Sequence, residues 1–149
     1  ATAGGVQYAA CAGNFMDHGF AYNGALKVLQ VIFSYEYLWI QLRVKGGAYG
    51  CMCSFGTQGD SMFVTYRDPN LTETYDVYDH AGDYVENFDV DERDMKKYII
   101  GTISNMDMPM EPDDMGVRSF HAYLMEKTEK IYRKTEIRYY PVQKKIFVL

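Results

Sequence analysis

Cysteine, histidine and unbroken apolar runs are all scarce in this chain, and each scarcity removes a class of protein. Cys11, Cys51 and Cys53 form an odd set with no framework spacing. That speaks against a disulfide-stapled secreted scaffold and for free thiols in a reducing compartment, cytoplasm or an organelle matrix. No signal-peptide pattern is present, so secretion is not expected. The most apolar stretch, Leu26 to Leu42, is interrupted by Gln30, Glu36 and Gln41, which predicts a buried helix and no membrane span. His18, His80 and His121 are scattered, none with a second histidine at helical spacing, so no self-contained catalytic metal site is expected. Cys51 and Cys53 lack the paired Cys-x-x-Cys clusters of a structural zinc site, and Asp79-His80 has no Gly-x-Ser-x-Gly elbow to make it part of a triad. No long linker, internal repeat or low-complexity tract interrupts the chain, and one domain over residues 1–149 is expected. The opening Ala1-Thr2-Ala3-Gly4-Gly5 reads as a cut from something longer.

What the chain has in quantity is aromatic side chain. Fourteen tyrosines and eight phenylalanines accompany a single tryptophan, so much of the interior is expected to be tyrosine whose hydroxyl needs a partner or a wet edge. The net charge of −5 hides an asymmetry. Residues 1–116 carry 7 Lys+Arg against 17 Asp+Glu, a balance of −10, and residues 117–149 carry 8 against 3, a balance of +5. An acidic body disfavours nucleic acid over most of the chain; it would attract basic peptides, or simply be a solvated surface.

Alternation at Val6, Tyr8 and Ala10 predicts a short strand that gives way to a loop at Gly13-Asn14 and His18-Gly19. From about Asn23 a helix is expected, with Leu26, Leu29, Phe33, Tyr37 and Ile40 inward and Val28, Ile32, Tyr35 and Trp39 widening the stripe, so that it must be covered on more than one side. Gly46 and Gly47 end it. A hairpin follows, with Tyr49, Cys51, Cys53 and Phe55 on one face, a turn at Gly56 to Asp60, and Met62, Val64 and Tyr66 resuming the alternation. Asp68-Pro69 reads as the start of a helix whose face is Leu71, Tyr75, Tyr78, Gly82, Val85 and Phe88. A second is capped by Asp89 or Asp91, with Met95, Ile99, Ile103 and Met106 inward, and stops at Asp107-Met108-Pro109. A third starts near Pro112-Asp113, with Phe120, Leu124 and Ile131 as its apolar side. Met106, Met108 and Met110 read as gap-filling packing. The order strand, helix, hairpin, three helices predicts an α+β fold, an antiparallel sheet with helices packed mainly on one face. Gly46-Gly-Ala-Tyr-Gly50 lacks the spacing and following Lys-Ser/Thr of a phosphate loop, so a doubly wound nucleotide binder is not expected.

Two blocks carry chemistry. Arg43-Val-Lys-Gly-Gly-Ala-Tyr-Gly50 sets a guanidinium and a phenol around a flexible Gly-Gly, which suits gripping a peptide carbonyl and the oxyanion formed when it is attacked. Tyr66-Arg67-Asp68-Pro69-Asn70 closes the hairpin. On periodicity alone, Arg43 would be a snorkelling surface cation and Tyr49 an ordinary strand tyrosine. Together with Gly13-Asn14-Phe15, Tyr22-Asn23-Gly24-Ala25-Leu26 and Tyr37-Leu38-Trp39, these blocks resemble the pitrilysin/insulinase family of zinc peptidases. The resemblance is to the presequence-protease branch, and within it to the last of four homologous domains, from about Val6 to about Leu124.

The resemblance implies a metallohydrolase-like domain whose zinc is held elsewhere in the parent, through an inverted His-x-x-Glu-His motif that this chain lacks. It implies that Arg43 holds a substrate carbonyl, that Tyr49 donates its O–H to the oxyanion of the tetrahedral intermediate, and that Gly46 and Gly47 let a bound peptide strand approach the backbone while also making a turn. The partners implied are a peptide substrate and the N-terminal half of the parent, and the chain alone is expected to be inactive. A second reading is a non-enzymatic binding or assembly module with the same fold. Beyond about Met125 the chain departs from the family, where a short strand or turn and a closing helix would follow. The tail of residues 125–149 is basic, strand-like and ends in Ile146-Phe-Val-Leu149; if a closing helix is replaced there, exposed apolar surface would drive self-association.

Overall fold

The computed structural model describes residues 4–126. Three antiparallel strands, β1 (Gln7–Asn14), β2 (Gly50–Phe55) and β3 (Asp60–Asp68), pair in the order β1-β3-β2. The alternation places Cys51, Cys53 and Phe55 of β2 beside Thr65 and Phe63 of β3 and Ala9 of β1 on the inner face. Met52, Met62, Val64 and Tyr8 fall on the outer face, where Met52 and Met62 are exposed. The fold is α+β, as the order of elements predicts.

Helix α1 (Ala25–Ile32) lies against the inner face and has α4 (Glu92–Met106) on its other side. That second cover is what the wide apolar stripe requires. The chain then winds on through two widened stretches, Phe33–Tyr37 and Trp39–Lys45, with bonds spanning five residues such as Leu38 N–H to Phe33 C=O. Widening turns the inward row from Phe33 and Tyr37 to Leu38 and Leu42, all buried. Tyr35, Trp39 and Ile40, expected inward from a 3.6-residue period, are exposed for that reason.

The helix expected from Asp68-Pro69 onward begins later and breaks once. It becomes α2 (Thr72–Asp79) and α3 (Ala81–Glu86), with His80 at the joint, its Nδ1 2.7 Å from the Asp76 carbonyl oxygen. Tyr78 is buried and Val85 and Phe88 pack on the core, whereas Leu71 and Tyr75 are exposed. Asp91 caps α4, its carboxylate accepting from the Asp94 N–H at 2.8 Å, and Met95, Ile99 and Met106 turn inward. Met108 and Met110 are exposed and fill no gap; Met110 Sδ instead accepts from Arg118 at 3.4 Å. In α5 (Pro112–Leu124) no residue is buried: Phe120 and Leu124, expected as a packing face, are exposed among the described residues. Ile131 and the basic tail from Lys134 lie outside the described residues.

Phe33 is the hub of the core, with the rings of Tyr37, Phe55, Phe63 and Tyr84 at 5.6 to 6.2 Å. The tyrosines around it solve the hydroxyl problem by reaching backbone carbonyls. Tyr37 donates to Val77 at 2.7 Å and Tyr78 to Ala9 at 3.2 Å. Burial pushes the phenols of Tyr78, Tyr84 and Tyr98 up to about 12 from 10.0. A raised folded-state value means that the unfolded chain ionises first. Stability is therefore expected to hold below pH 10 and to fall as the pH approaches 12. Urea unfolding followed across this range, with phenolate absorbance recorded in parallel, checks it; a midpoint that stays constant through pH 11.5 contradicts it.

Candidate functional site

The last turns of the widened helix close on the glycines. Gly46 N–H bonds to Gln41 C=O at 3.0 Å, Gly47 N–H to Arg43 C=O at 3.1 Å and Ala48 N–H to Leu42 C=O at 2.9 Å. Gly47 takes the left-handed conformation, φ 78°, and a Cβ on Gly46 would press on the Leu42 carbonyl oxygen, so both positions are glycine for reasons of the turn.

The second block clasps the first. Asp68, 1% exposed, accepts from the Asn70 N–H at 2.9 Å and from the Thr74 hydroxyl at 2.7 Å. This carboxylate organises the turn after β3 and the first turn of α2; it does not put Pro69 at a first helical position. Asn70, so oriented, donates its side-chain N–H to Gly46 C=O at 2.5 Å, and Pro69 packs near Gly47. Tyr49 N–H meets Arg67 C=O at 3.4 Å, and the Tyr66 ring lies over Gly50, where a Cβ would collide with it.

A β-bulge sets the side chains of this second block. Gln7 pairs with Asp68 and Ala9 with Thr65, so Tyr66 and Arg67 together oppose Tyr8. Arg67 sits at φ 51°, a left-handed conformation that costs a non-glycine residue about 1 kcal/mol or more. Bulges re-aim side chains, and this one brings Arg67 to Tyr49.

The result is an exposed cluster of rings and two cations. The Arg43 guanidinium lies over the Trp39 ring at 4.2 Å and donates to the Tyr49 backbone carbonyl at 2.6 Å. Its carbon is 5.7 Å from the Tyr49 ring centroid, and that of Arg67 is 5.6 Å from the same point. Tyr66 meets Tyr49 edge-on at 5.4 Å and stacks with Tyr8 at 6.5 Å. Tyr49 is 56% exposed. Among the described residues neither arginine has a carboxylate within ion-pair distance. The thiol of Cys51, behind the cluster, is pushed up by burial and pulled back by the Arg43 charge.

Arg43 and Tyr49 are thus neighbours, and Gly46 and Gly47 form the turn between them. Sequence reasoning missed Trp39 as the platform under Arg43, Tyr8 and Tyr66 as extensions of the ring row, and Arg67 as a second cation. The strand spacing from Tyr49 to Tyr66 was the available signal; the bulge that delivers Arg67 had none. Among the described residues no group of three or more His, Cys, Asp or Glu side chains is arranged to hold a metal ion. The cluster can offer N–H and O–H donors and positive charge to an anionic or carbonyl oxygen, and flat surface to a peptide.

Residues 2–148 match the family model described as the PreP C-terminal domain. The chain is 44% identical over 133 residues to Protein HypA of Clostridium perfringens, covering 89% of this chain and 14% of that protein. It is 40% identical over 133 residues to presequence protease 1, chloroplastic/mitochondrial, of Arabidopsis thaliana, covering 88% and 12%. With the mitochondrial presequence protease of Aspergillus fumigatus the identity is 30% over 110 residues, covering 73% and 10%. The chain therefore belongs to the family of presequence-protease C-terminal domains, and it spans between a tenth and a seventh of the length of these curated relatives.

The clasp depends on Asp68. Asp68→Ala would leave the Asn70 N–H and the Thr74 hydroxyl without their acceptor, at a cost of about 2 to 3 kcal/mol. Urea unfolding is expected to show that loss, with Trp39 emission changed before unfolding as the Gly46 turn loosens. A loss below about 0.5 kcal/mol would place the carboxylate outside the framework of the site.

Proposed function

We propose that this chain is the C-terminal, non-metal-binding domain of a zinc-dependent metalloendopeptidase that degrades peptides in a closed chamber. The observation that carries the reading is the clasp of the two blocks, which sets the Arg43 guanidinium and the Tyr49 phenol side by side on an exposed surface, held by a buried carboxylate. Arg43 spends one N–H on the Tyr49 carbonyl and keeps others for a substrate carbonyl. Tyr49 donates its O–H to the oxygen that becomes negative as the peptide carbon turns tetrahedral. Gly46 and Gly47, having no side chains, leave room for an extended peptide beside them.

On this reading the zinc and the water it activates belong to the N-terminal half of the longer protein, and this chain's residues act on the substrate alone. Three free cysteines suit a reducing interior, cytoplasm or organelle matrix. Of these, the organelle matrix is favoured by the names of the Arabidopsis and Aspergillus relatives, which carry chloroplastic or mitochondrial labels.

The test is made in the longer protein. Arg43→Ala and Tyr49→Phe are each expected to lower kcat/KM for a fluorogenic peptide by roughly 100-fold or more, the cost of one oxyanion donor. Zinc content and the urea midpoint should stay unchanged. Parallel loss of stability and activity would reduce both residues to packing roles. The isolated chain is expected to hydrolyse no peptide and to bind no stoichiometric zinc.

A further inference from the structure

Carbonyl and oxyanion contacts employ Arg43 and Tyr49 and leave Arg67 without a task. Yet Arg67 occupies the left-handed position of a bulge, where glycine would relieve the backbone of its strain. Its guanidinium is as near the Tyr49 ring centroid as that of Arg43, 5.6 against 5.7 Å. No carboxylate among the described residues pairs with either cation, although residues 1–116 carry an excess of ten acidic groups. Two cations thus flank one exposed phenol with no carboxylate partner among the described residues, the adjacent Asp68 being buried and engaged by Asn70 and Thr74.

We propose that Arg67 is a specificity-determining residue, pairing with a carboxylate of the bound peptide beside the carbonyl held by Arg43 and Tyr49. This rests on the reading of the site given above and names what the site prefers: a peptide segment carrying an Asp or Glu side chain or a terminal carboxylate. A guanidinium fork matches a carboxylate in two-point geometry, and the neighbouring Arg43 charge adds to the attraction. The ring row of Tyr49, Tyr66 and Tyr8 lies alongside and offers flat apolar surface to the rest of the segment.

Trp39 is the only tryptophan in the chain and lies under Arg43, so its emission reports binding here directly. Three matched peptides would be titrated into the chain: one with an internal Glu and an amidated end, its Gln counterpart, and the Gln peptide with a free terminal carboxylate. At least one carboxylate peptide is expected to bind roughly fivefold more tightly than the uncharged one, as suits a half-screened ion pair, and which one does so identifies the source of the group. Arg67→Asn, which tolerates the left-handed backbone, should bring the preference below about twofold, and Arg67→Lys, which keeps the charge but loses the two-point fork, should retain only part of it.

Equal affinities for all three peptides, a preference that survives Arg67→Asn, or no response of Trp39 to any peptide would each overturn the proposal. Its failure is separable from failure of the transition-state reading. Equal peptide affinities with activity still sensitive to Arg43→Ala and Tyr49→Phe remove only the carboxylate role; insensitivity of activity to those two changes removes the reading beneath it.

Discussion

A carboxylate excluded from water holds the two distinctive blocks of this chain together. Asp68 is satisfied by one backbone N–H and one hydroxyl, and in being satisfied it fixes the turn that carries Asn70 to the carbonyl of Gly46. A buried anion so partnered is costly to disturb, because loosening either donor leaves charge without compensation. Position is thus transmitted from the buried end of β3 to the exposed loop. The Gly46-Gly47 turn, the entry of Tyr49 into β2 and the seat of the Tyr66 ring over Gly50 follow from it.

How much of this was legible in sequence depends on whether the determining physics is periodic. Strand alternation located β2 and β3 and the inward cysteines of β2, because a half-buried antiparallel strand repeats every two residues. The cap of α4 was legible only as Asp89 or Asp91, because an N-cap carboxylate acts over three residues and both precede the helix; Asp91 takes it. Ile40, Trp39 and Tyr35 were misplaced because the helix widens from Phe33 onward, and a 3.6-residue ruler drifts against wider turns. Asp68-Pro69 resembles a helix start in composition, but Asp68 also ends a strand and reaches Thr74, a partner six residues on that local rules do not weigh. In the cluster itself, Arg43 and Tyr49 were singled out through the resemblance of their block, and the structure places them side by side. Arg67 was hidden because a β-bulge is a relation between two strands, and no single strand displays it.

The widened helix and the bulge share a consequence. Each departs from regular geometry beside the site, and each turns a side chain to where a regular element would not put it. The widened turns leave Trp39 and Arg43 one above the other on the exposed side of a helix whose opposite side, Phe33, Tyr37, Leu38 and Leu42, is buried. The bulge swings Arg67 toward Tyr49 from the neighbouring strand. Irregularity of this kind is retained against a cost in backbone energy, and it concentrates in this molecule around one phenol.

Exposure limits what that phenol and its cations can do unaided. Two unit charges 4 Å apart attract by about 1 kcal/mol in bulk water and by about 4 kcal/mol at an effective dielectric constant of 20. Donors as open as Tyr49, 56% exposed, therefore stabilise a developing oxyanion weakly until water is displaced from around them. On the proposed reading, another part of the longer protein must close over this surface before the donors reach their strength. The outer face of the sheet suits such a cover: Tyr8, Met52 and Met62 present apolar area beside the cluster, and burying it would favour closure by the same step that dries the site. On that reading the domain would govern the rate of a metal-dependent reaction without holding the metal, by supplying both the donors and the apolar surface whose covering makes them effective.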